Sequence, residues 1–146
     1  FRTAAPVQEP AVLPYLQYSG NKALDIHLSV LIQPEGGAAT QICSSNTKYL
    51  YWTMEQQLAH HTVNGCNINA GDMLASGTIS GPTPNSFGSM LELTWRGTKP
   101  LTLSDGAERK FIADGDTVIM KGYAQYPGNG LRIGFGEVSG KVLPAL

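Results

Sequence analysis

The chain has 146 residues, of which 42% are hydrophobic and 14% are charged, and its formal net charge is −1. This composition predicts one folded domain and excludes a disordered chain, because the apolar residues suffice for a core. The near-neutral charge argues against a nucleic-acid surface, and no apolar run approaches the roughly 18 residues of a membrane helix.

The first part of the chain predicts an extended arm followed by a strand. Prolines at positions 6, 10 and 14 interrupt any regular pairing there. The chain does not begin with Met, so we expect a piece of a longer polypeptide. In DIHLSVLIQ, residues 25–33, apolar side chains alternate as in a strand, with Ile26, Leu28, Val30 and Ile32 on one face. PEGG at residues 34–37 then predicts a turn.

One helix is predicted over residues 47–65, TKYLYWTMEQQLAHHTVNG. Leu50, Met54 and Leu58 recur at the spacing of one helix face. Asn64-Gly65 predicts a left-handed end to this helix. Three polar residues that could cap its start precede it: Ser44, Ser45 and Asn46.

The remaining sequence predicts short strands and tight turns. Strands are expected at GDMLASG (residues 71–77), LELTW (91–95), PLTL (100–103) and RKFI (109–112), with a hairpin turn at Asp105-Gly106. A final hairpin pairs TVIMKGYAQ with LRIGFGEVSGKV across PGNG, residues 127–130. The predicted fold class is mainly β with one principal helix, in a mixed β-roll or a distorted sandwich.

Two glycine-containing stretches could suggest ligand sites, and neither has the required context. YPGNGLRIGFG, residues 126–136, lacks the following helix that a dinucleotide fingerprint needs, so it predicts a hairpin. Asp114-Gly115-Asp116 predicts a tight turn, because no third carboxylate follows at the spacing of a calcium loop. We therefore predict no complete metal site within the chain.

The histidines and cysteines form no recognisable cluster either. His60 and His61 are adjacent on the predicted helix, where neighbouring side chains diverge, so a capping or a buried, hydrogen-bonded role is expected. His27 is a lone strand histidine with a structural or surface role. Cys43 and Cys66 are too few for a disulfide scaffold, which favours a reducing compartment.

The stretch SGTISGPTPNSFGSM, residues 76–90, could be a turn or a site. Gly77, Gly81 and Gly88 allow backbone conformations that aim N–H groups inward, and Thr78 and Ser80 add hydroxyls between them. Such a loop can hold a carboxylate or an oxyanion. It could equally be a long connection.

The predicted strand after this loop carries one carboxylate. Leu91, Leu93 and Trp95 would share one face, which leaves Glu92 on the other, toward solvent or a cavity. An ordinary surface glutamate remains an alternative on these residues alone.

ASGTISGPTPNSFGSMLELTWRGTKP, residues 75–100, closely resembles the fumarylacetoacetase family, as do SNTKYLYWTMEQQLAHHTVNGCN (45–67) and RIGFGEVSGKVLPAL (132–146). The likeness runs from about Pro14 to Leu146 and corresponds to roughly the last third of such an enzyme. Related acylpyruvate hydrolases, oxaloacetate decarboxylases and hydroxymuconate isomerases usually carry a shorter loop here. The resemblance implies that residues 1–146 are the C-terminal segment of one larger catalytic domain whose upstream part is absent from this chain.

The resemblance also implies an activity, which is hydrolysis of a carbon–carbon bond in fumarylacetoacetate to fumarate and acetoacetate, the last step of tyrosine catabolism. Glu92 matches the glutamate that orients the family's catalytic histidine, Thr78 matches a threonine that contacts the substrate carboxylate, and Gly77 lets the backbone approach. None of the chain's histidines falls in the catalytic-histidine motif.

By the same resemblance, calcium and magnesium ions are held by residues upstream of this chain. The expected partners are the upstream remainder of the protein, a small diketo-acid substrate and a second subunit in a cytoplasmic homodimer. The isolated segment should be inactive. The alternatives are another diketone or keto-acid reaction of the same family, such as acylpyruvate hydrolysis or decarboxylation, and a non-enzymatic β binding module.

Overall fold

The computed structural model describes residues 1–128 and 130–146. Its elements, in chain order, are β1 (Arg2–Thr3), β2 (Ala23–Leu24), β3 (His27–Gln33), β4 (Thr40–Asn46), α1 (Met54–Thr62), α2 (Met90–Leu93), β5 (Leu101–Thr102), β6 (Glu108–Arg109), β7 (Thr117–Gln125) and β8 (Arg132–Lys141). The prediction of a mainly β chain with one principal helix is confirmed.

An antiparallel sheet of order β4-β3-β7-β8 forms the centre of the fold. Val30 of β3 lies opposite Cys43 of β4 and Met120 of β7, and Met120 lies opposite Val138 of β8. The alternating apolar side chains of β3 lie on one face of the sheet. One of them, Ile32, is fully buried. The predicted strand at residues 25–33 and the final hairpin are confirmed, although residue 129 of the PGNG turn lies outside the described residues.

Strand β4 is an element that the sequence analysis missed. Its last two residues, Ser45 and Asn46, were expected to cap a helix; both are buried at the end of this strand, and Asn46 also caps a single helical turn. The Ser45 hydroxyl donates to the Ile79 carbonyl at 2.7 Å, and the Asn46 amide donates to Asp25 at 2.7 Å. The end of this strand has polar side chains, so its sequence lacks the apolar alternation that predicts a buried strand. These side chains can be buried because they form hydrogen bonds with residues distant in sequence.

The principal helix is shorter than predicted, because a break separates it from a single 3₁₀ turn at Thr47–Tyr49. Asn46 caps that turn, whereas Thr53 and Gln56 form the capping box of α1. Leu50 precedes α1 and is not part of its face. Beyond the end of α1, Gly65 has the expected positive φ of 89°.

Two of the predicted short strands are wrong. Residues 71–77 form no strand, and Met73 in this stretch is 95% exposed because no described segment covers it. The LELTW run forms the single-turn helix α2 rather than a strand. The hairpin at Asp105-Gly106 is confirmed, with β5 paired to β6, but residues 110–112 of the predicted RKFI strand form no strand, because β6 ends at Arg109.

The segment of residues 88–93 lies against one half of the central sheet. Gly88, Met90 and Leu93 line a cavity of about 210 Å³ together with apolar side chains of β3, β4 and β7. The other half of the same face remains open; its groove is lined by Leu28, Met120, Phe135 and Val138. No helix in the described part of the chain is both long and apolar enough to cross a membrane.

Candidate functional site: a carboxylate held by serine hydroxyls

Helix α2 is built by local capping rather than by alternation. The Ser89 hydroxyl accepts a hydrogen bond from the Glu92 backbone N–H at 3.3 Å and so caps the first turn. The buried Thr94 hydroxyl donates to the Met90 carbonyl at 2.7 Å. Trp95 and Arg96 then take positive φ angles of 48° and 58°, which end the helix at once and exclude a strand.

The Glu92 side chain is exposed, yet its carboxylate is held by two serine hydroxyls. Ser80 Oγ lies 2.9 Å from Oε1 and 2.8 Å from Oε2 of Glu92. Ser89 Oγ lies 2.9 Å from Oε2. We call Glu92, Ser80 and Ser89 the serine clamp.

The loop before α2 is fastened to the sheet by close backbone contact. A Cβ on Gly88 would lie 2.8 Å from both the backbone nitrogen and the carbonyl oxygen of Ile79, so only glycine allows this approach. Ser45 of β4 binds the same Ile79 carbonyl. The two contacts place Ser80, the next residue, beside α2.

The charge of Glu92 acts on the underlying sheet. Burial raises the pKa of the Cys43 thiol, and the nearby negative charge of Glu92 raises it further. Cys43 is buried on β4 and lines the small cavity beneath α2. The carboxylate therefore lies above the apolar layer of the sheet, on its solvent side.

Thr78 and Gly77 are exposed and lie on the irregular segment just before the clamp. Gly77 has a φ of 79°, and a Cβ there would meet no atom within 4 Å, so its backbone conformation rather than lack of space favours glycine. Among the described residues, the hydroxyls bonded to Glu92 are those of Ser80 and Ser89 and not that of Thr78.

All three histidines lie within the described residues, and none of them is hydrogen-bonded to Glu92. His60 Nδ1 is 3.0 Å from the Tyr15 hydroxyl, so it has a hydrogen-bonded role, although it is exposed rather than buried. His27 stacks on Tyr123 with ring centroids 4.7 Å apart. The contact of His27 is of the structural kind expected for it. His60 and His61 are both exposed, so the buried role expected for them is wrong, whereas the hydrogen-bonded role is confirmed for His60.

The acidic residues of the described chain do not fit a divalent cation. No group of three His, Cys, Asp or Glu side chains comes together in residues 1–128 and 130–146. Asp116, one of the pair flanking Gly115, is fully buried and binds Arg109 through both oxygens, at 2.8 and 2.9 Å. Because the Arg109 cation binds both oxygens and the Ala113 N–H also donates to Oδ2, this carboxylate is already neutralised within the fold.

Sequence reasoning missed the role of Ser89 and the bond from Ser80 to Glu92. A signal for Ser89 was present, since Ser-x-x-Glu at residues 89–92 is the pattern of a helix N-terminus. No comparable signal relates Ser80 to Glu92, which are twelve residues apart.

The candidate site combines an antiparallel sheet, a glycine-rich loop and a carboxylate on α2 that serine hydroxyls hold. The comparisons with known proteins agree on the family of the chain. The family model described as fumarylacetoacetate (FAA) hydrolase, C-terminal, matches residues 2–143. The chain therefore belongs to the fumarylacetoacetate hydrolase family.

Several relatives of this chain share one name, fumarylacetoacetase. The chain is 59% identical over 147 residues to the fumarylacetoacetase of Homo sapiens, a match that covers 100% of this chain and 35% of that protein. It is 55% identical over 148 residues to that of Dictyostelium discoideum, with 99% and 34% covered. For Arabidopsis thaliana the identity is 49% over 146 residues, with 99% and 34% covered. The chain thus spans about a third of the length of these curated relatives.

Proposed function

We propose that residues 1–146 form the C-terminal part of one catalytic domain of a fumarylacetoacetase, which hydrolyses fumarylacetoacetate to fumarate and acetoacetate in the last step of tyrosine catabolism. The observation that carries this proposal is the carboxylate of Glu92, which is exposed and oriented but bound to no cation of the described chain. The identity of 59% to a protein named fumarylacetoacetase supports the choice of reaction.

In this proposal Glu92 orients a histidine that lies outside the chain. Its carboxylate accepts the N–H of one imidazole nitrogen, so the other nitrogen is free to take a proton from water. The negative charge then stabilises the imidazolium that forms. An exposed carboxylate is required for this role, because the imidazole must reach it from another segment.

The reaction consumes one water molecule, and the proton that the histidine removes from it is passed on to a product. The histidine removes a proton from water as the oxygen attacks a carbonyl of the substrate, which gives a tetrahedral oxyanion. When the carbon–carbon bond breaks, its electron pair leaves with acetoacetate as an enolate. The imidazolium protonates that enolate and so gives acetoacetate. The other fragment, which now carries the oxygen from water, is fumarate in its acid form.

Thr78 and Gly77 are proposed to bind the substrate carboxylate. They lie on exposed backbone two and three residues before Ser80, so a ligand beside Glu92 could reach the Thr78 hydroxyl. The left-handed backbone at Gly77 leaves open space on its Cβ side, which a ligand could use.

Calcium and magnesium remain part of the proposal through family resemblance alone. The described residues offer no fitting ligand set, so we assign the cations, like the histidine, to the upstream part of the full-length protein. We accordingly expect the isolated chain to be inactive.

The upstream part is also the proposed partner of the open groove of the sheet, which is defined by Leu28, Met120, Phe135 and Val138. Phe135 and Val138 are 63% and 64% exposed, and all ten residues of β8 are exposed. A long uncovered strand with an apolar face is unfavourable in water and invites pairing. The relatives, about three times as long, contain enough additional chain to cover it. We further propose a cytoplasmic homodimer.

The test is Glu92→Gln in the full-length protein. We expect kcat for fumarylacetoacetate to fall by about 10²- to 10⁴-fold while the protein stays folded, because the uncharged amide cannot stabilise the imidazolium. Glu55→Gln is the matched control, since Glu55 is an exposed glutamate on α1 that makes only long ion pairs, and its kcat should be unchanged.

An unchanged kcat in Glu92→Gln would contradict the proposed role and would favour the alternative in which this segment is a β module without catalytic residues and Glu92 is a surface residue. Assays with an acylpyruvate and with oxaloacetate separate the other reactions of the family. The relatives, all named fumarylacetoacetases at 49% to 59% identity, do not favour those reactions.

A further inference from the structure

We propose that Ser80 is a positioning residue, whose hydroxyl fixes the orientation of the Glu92 carboxylate and leaves one defined lone-pair position for the incoming imidazole. This inference rests on the proposed function of Glu92 and goes beyond it, because it names the group that sets the geometry.

The hydrogen bonds of Ser80 fix the direction of its single proton. The Gly88 backbone N–H donates to Ser80 Oγ at 3.0 Å, so the hydroxyl acts as an acceptor there. Because a hydroxyl has one proton to donate, that proton is left for Glu92. Ser80 Oγ lies 2.9 and 2.8 Å from the two carboxylate oxygens, so both oxygens are within reach of this one proton.

The two oxygens of Glu92 are consequently not equivalent. Oε2 accepts from both Ser80 and Ser89, whereas Oε1 shares only the Ser80 proton. Each carboxylate oxygen has about two acceptor positions. Oε1 is therefore the oxygen that retains an open position, and we assign the imidazole N–H to it.

A neutral clamp suits this role better than a charged one. Asp116 of the same chain is bound by the Arg109 guanidinium, which occupies both of its oxygens and cancels its charge. Serine hydroxyls hold Glu92 without bringing a positive charge. The carboxylate stays oriented and keeps its full charge for the imidazolium.

The experiment compares Ser80→Thr with Ser80→Val in the full-length protein. The two side chains have almost the same shape and differ in the hydroxyl, so any strain from the added carbon is common to both. We expect Ser80→Thr to keep kcat close to wild type and Ser80→Val to lose about 10- to 100-fold in kcat, with KM changed less than about twofold. Thr62→Val on α1 is the control, because it makes the same exchange of a hydroxyl for a methyl group and its hydroxyl bonds carbonyls of its own helix.

A double-mutant cycle with Glu92→Gln separates positioning from general loop damage. If Ser80 acts through Glu92, Ser80→Val should add little to the loss that Glu92→Gln already causes. Equal losses in the Thr and Val variants, an unchanged kcat in Ser80→Val, or full additivity with Glu92→Gln would each overturn the proposal. If Glu92→Gln lowers kcat and Ser80→Val does not, the positioning role of Ser80 is rejected and the proposed role of Glu92 stands. If Glu92→Gln has no effect on kcat, both are rejected.

Discussion

Two carboxylates of this chain lie in opposite environments, and these environments suit a structural role for one and the proposed catalytic role for the other. Asp116 is fully buried and paired with Arg109, whereas Glu92 is exposed and bound by hydroxyls alone. Burial of a charge is tolerated only with a hydrogen-bonded partner, so the Asp116 pair holds the fold together. The exposed carboxylate can still accept a new partner.

Asp116→Asn should destabilise the full-length protein by about 3 kcal/mol at neutral pH, because the Arg109 guanidinium loses its buried counter-charge. Denaturant unfolding measures this difference. Glu137→Gln is the control: Glu137 pairs with Lys121 on the exposed face of the last hairpin, and its loss should cost less than about 1 kcal/mol.

The same pair predicts a pH dependence. The hydrogen bond from Arg109, helped by the Ala113 N–H and the charge of Arg109, outweighs burial and holds the pKa of Asp116 below its ordinary value. A lowered folded-state pKa contributes stability that is complete above the ordinary pKa of about 4 and is lost as the pH falls through the folded-state pKa. The stability difference between wild type and Asp116→Asn should therefore shrink below about pH 4. A constant difference down to pH 2 would contradict this explanation.

At the scale of elements, one buried glutamine ties the N-terminal arm to α1. Gln56 exchanges amide hydrogen bonds with Gln8 at 2.8 and 2.9 Å and donates to the Leu16 carbonyl at 2.9 Å. It also accepts from the Thr53 N–H, which completes the capping box. The predicted N-terminal arm therefore lies over the start of α1.

Gln56→Leu should release this arm, because the Thr53 N–H and the Leu16 carbonyl lose their partner in a buried place. We expect destabilisation of about 2 kcal/mol and faster hydrogen exchange in residues 2–17. Gln57→Leu, at the next position, loses only an exposed bond to the Trp52 carbonyl and should leave that exchange unchanged. Equal effects of the two substitutions would show that Gln56 does not hold the arm.

At the scale of the whole molecule, the central sheet is covered over only half of one face. Residues 88–93 protect the half near Ile32, and the open groove exposes the half near Phe135. The groove and the cavity beneath α2 share Met120, so a segment that covers the groove would lie on the same face of the sheet as α2. One upstream segment could thus protect the sheet and bring the histidine close to Glu92.

Val138→Asp should destabilise the full-length protein by at least about 2 kcal/mol, because a covered groove would bury the new charge. Thr102→Asp places the same charge on exposed strand β5 and serves as the control. Thermal unfolding of the two variants measures the difference. Equal stability would mean that the groove remains open to water in the full-length protein.

Much of the sheet is determined by local sequence. Strand β3 carries an alternating run, and β7 and β8 flank the turn residues PGNG; both signals are properties of neighbouring residues. The turn at Asp105-Gly106 is local as well. The expectation that Glu92 is a site residue came from the resemblance of its surrounding sequence, and alternation alone assigned it wrongly to a strand.

The sequence by itself determined the mainly β class, the family and the segment in which the candidate carboxylate lies. Only the tertiary structure decided that β4 is a strand, that Asp116 is paired with Arg109, and that Ser80 holds Glu92. Each of these depends on polar groups that are separated in sequence and meet only in the folded chain. In the sequence, these polar residues resemble caps, turns and surface residues. Their hydrogen-bond partners are distant in sequence and can be identified only once the folded backbone has brought the two groups together.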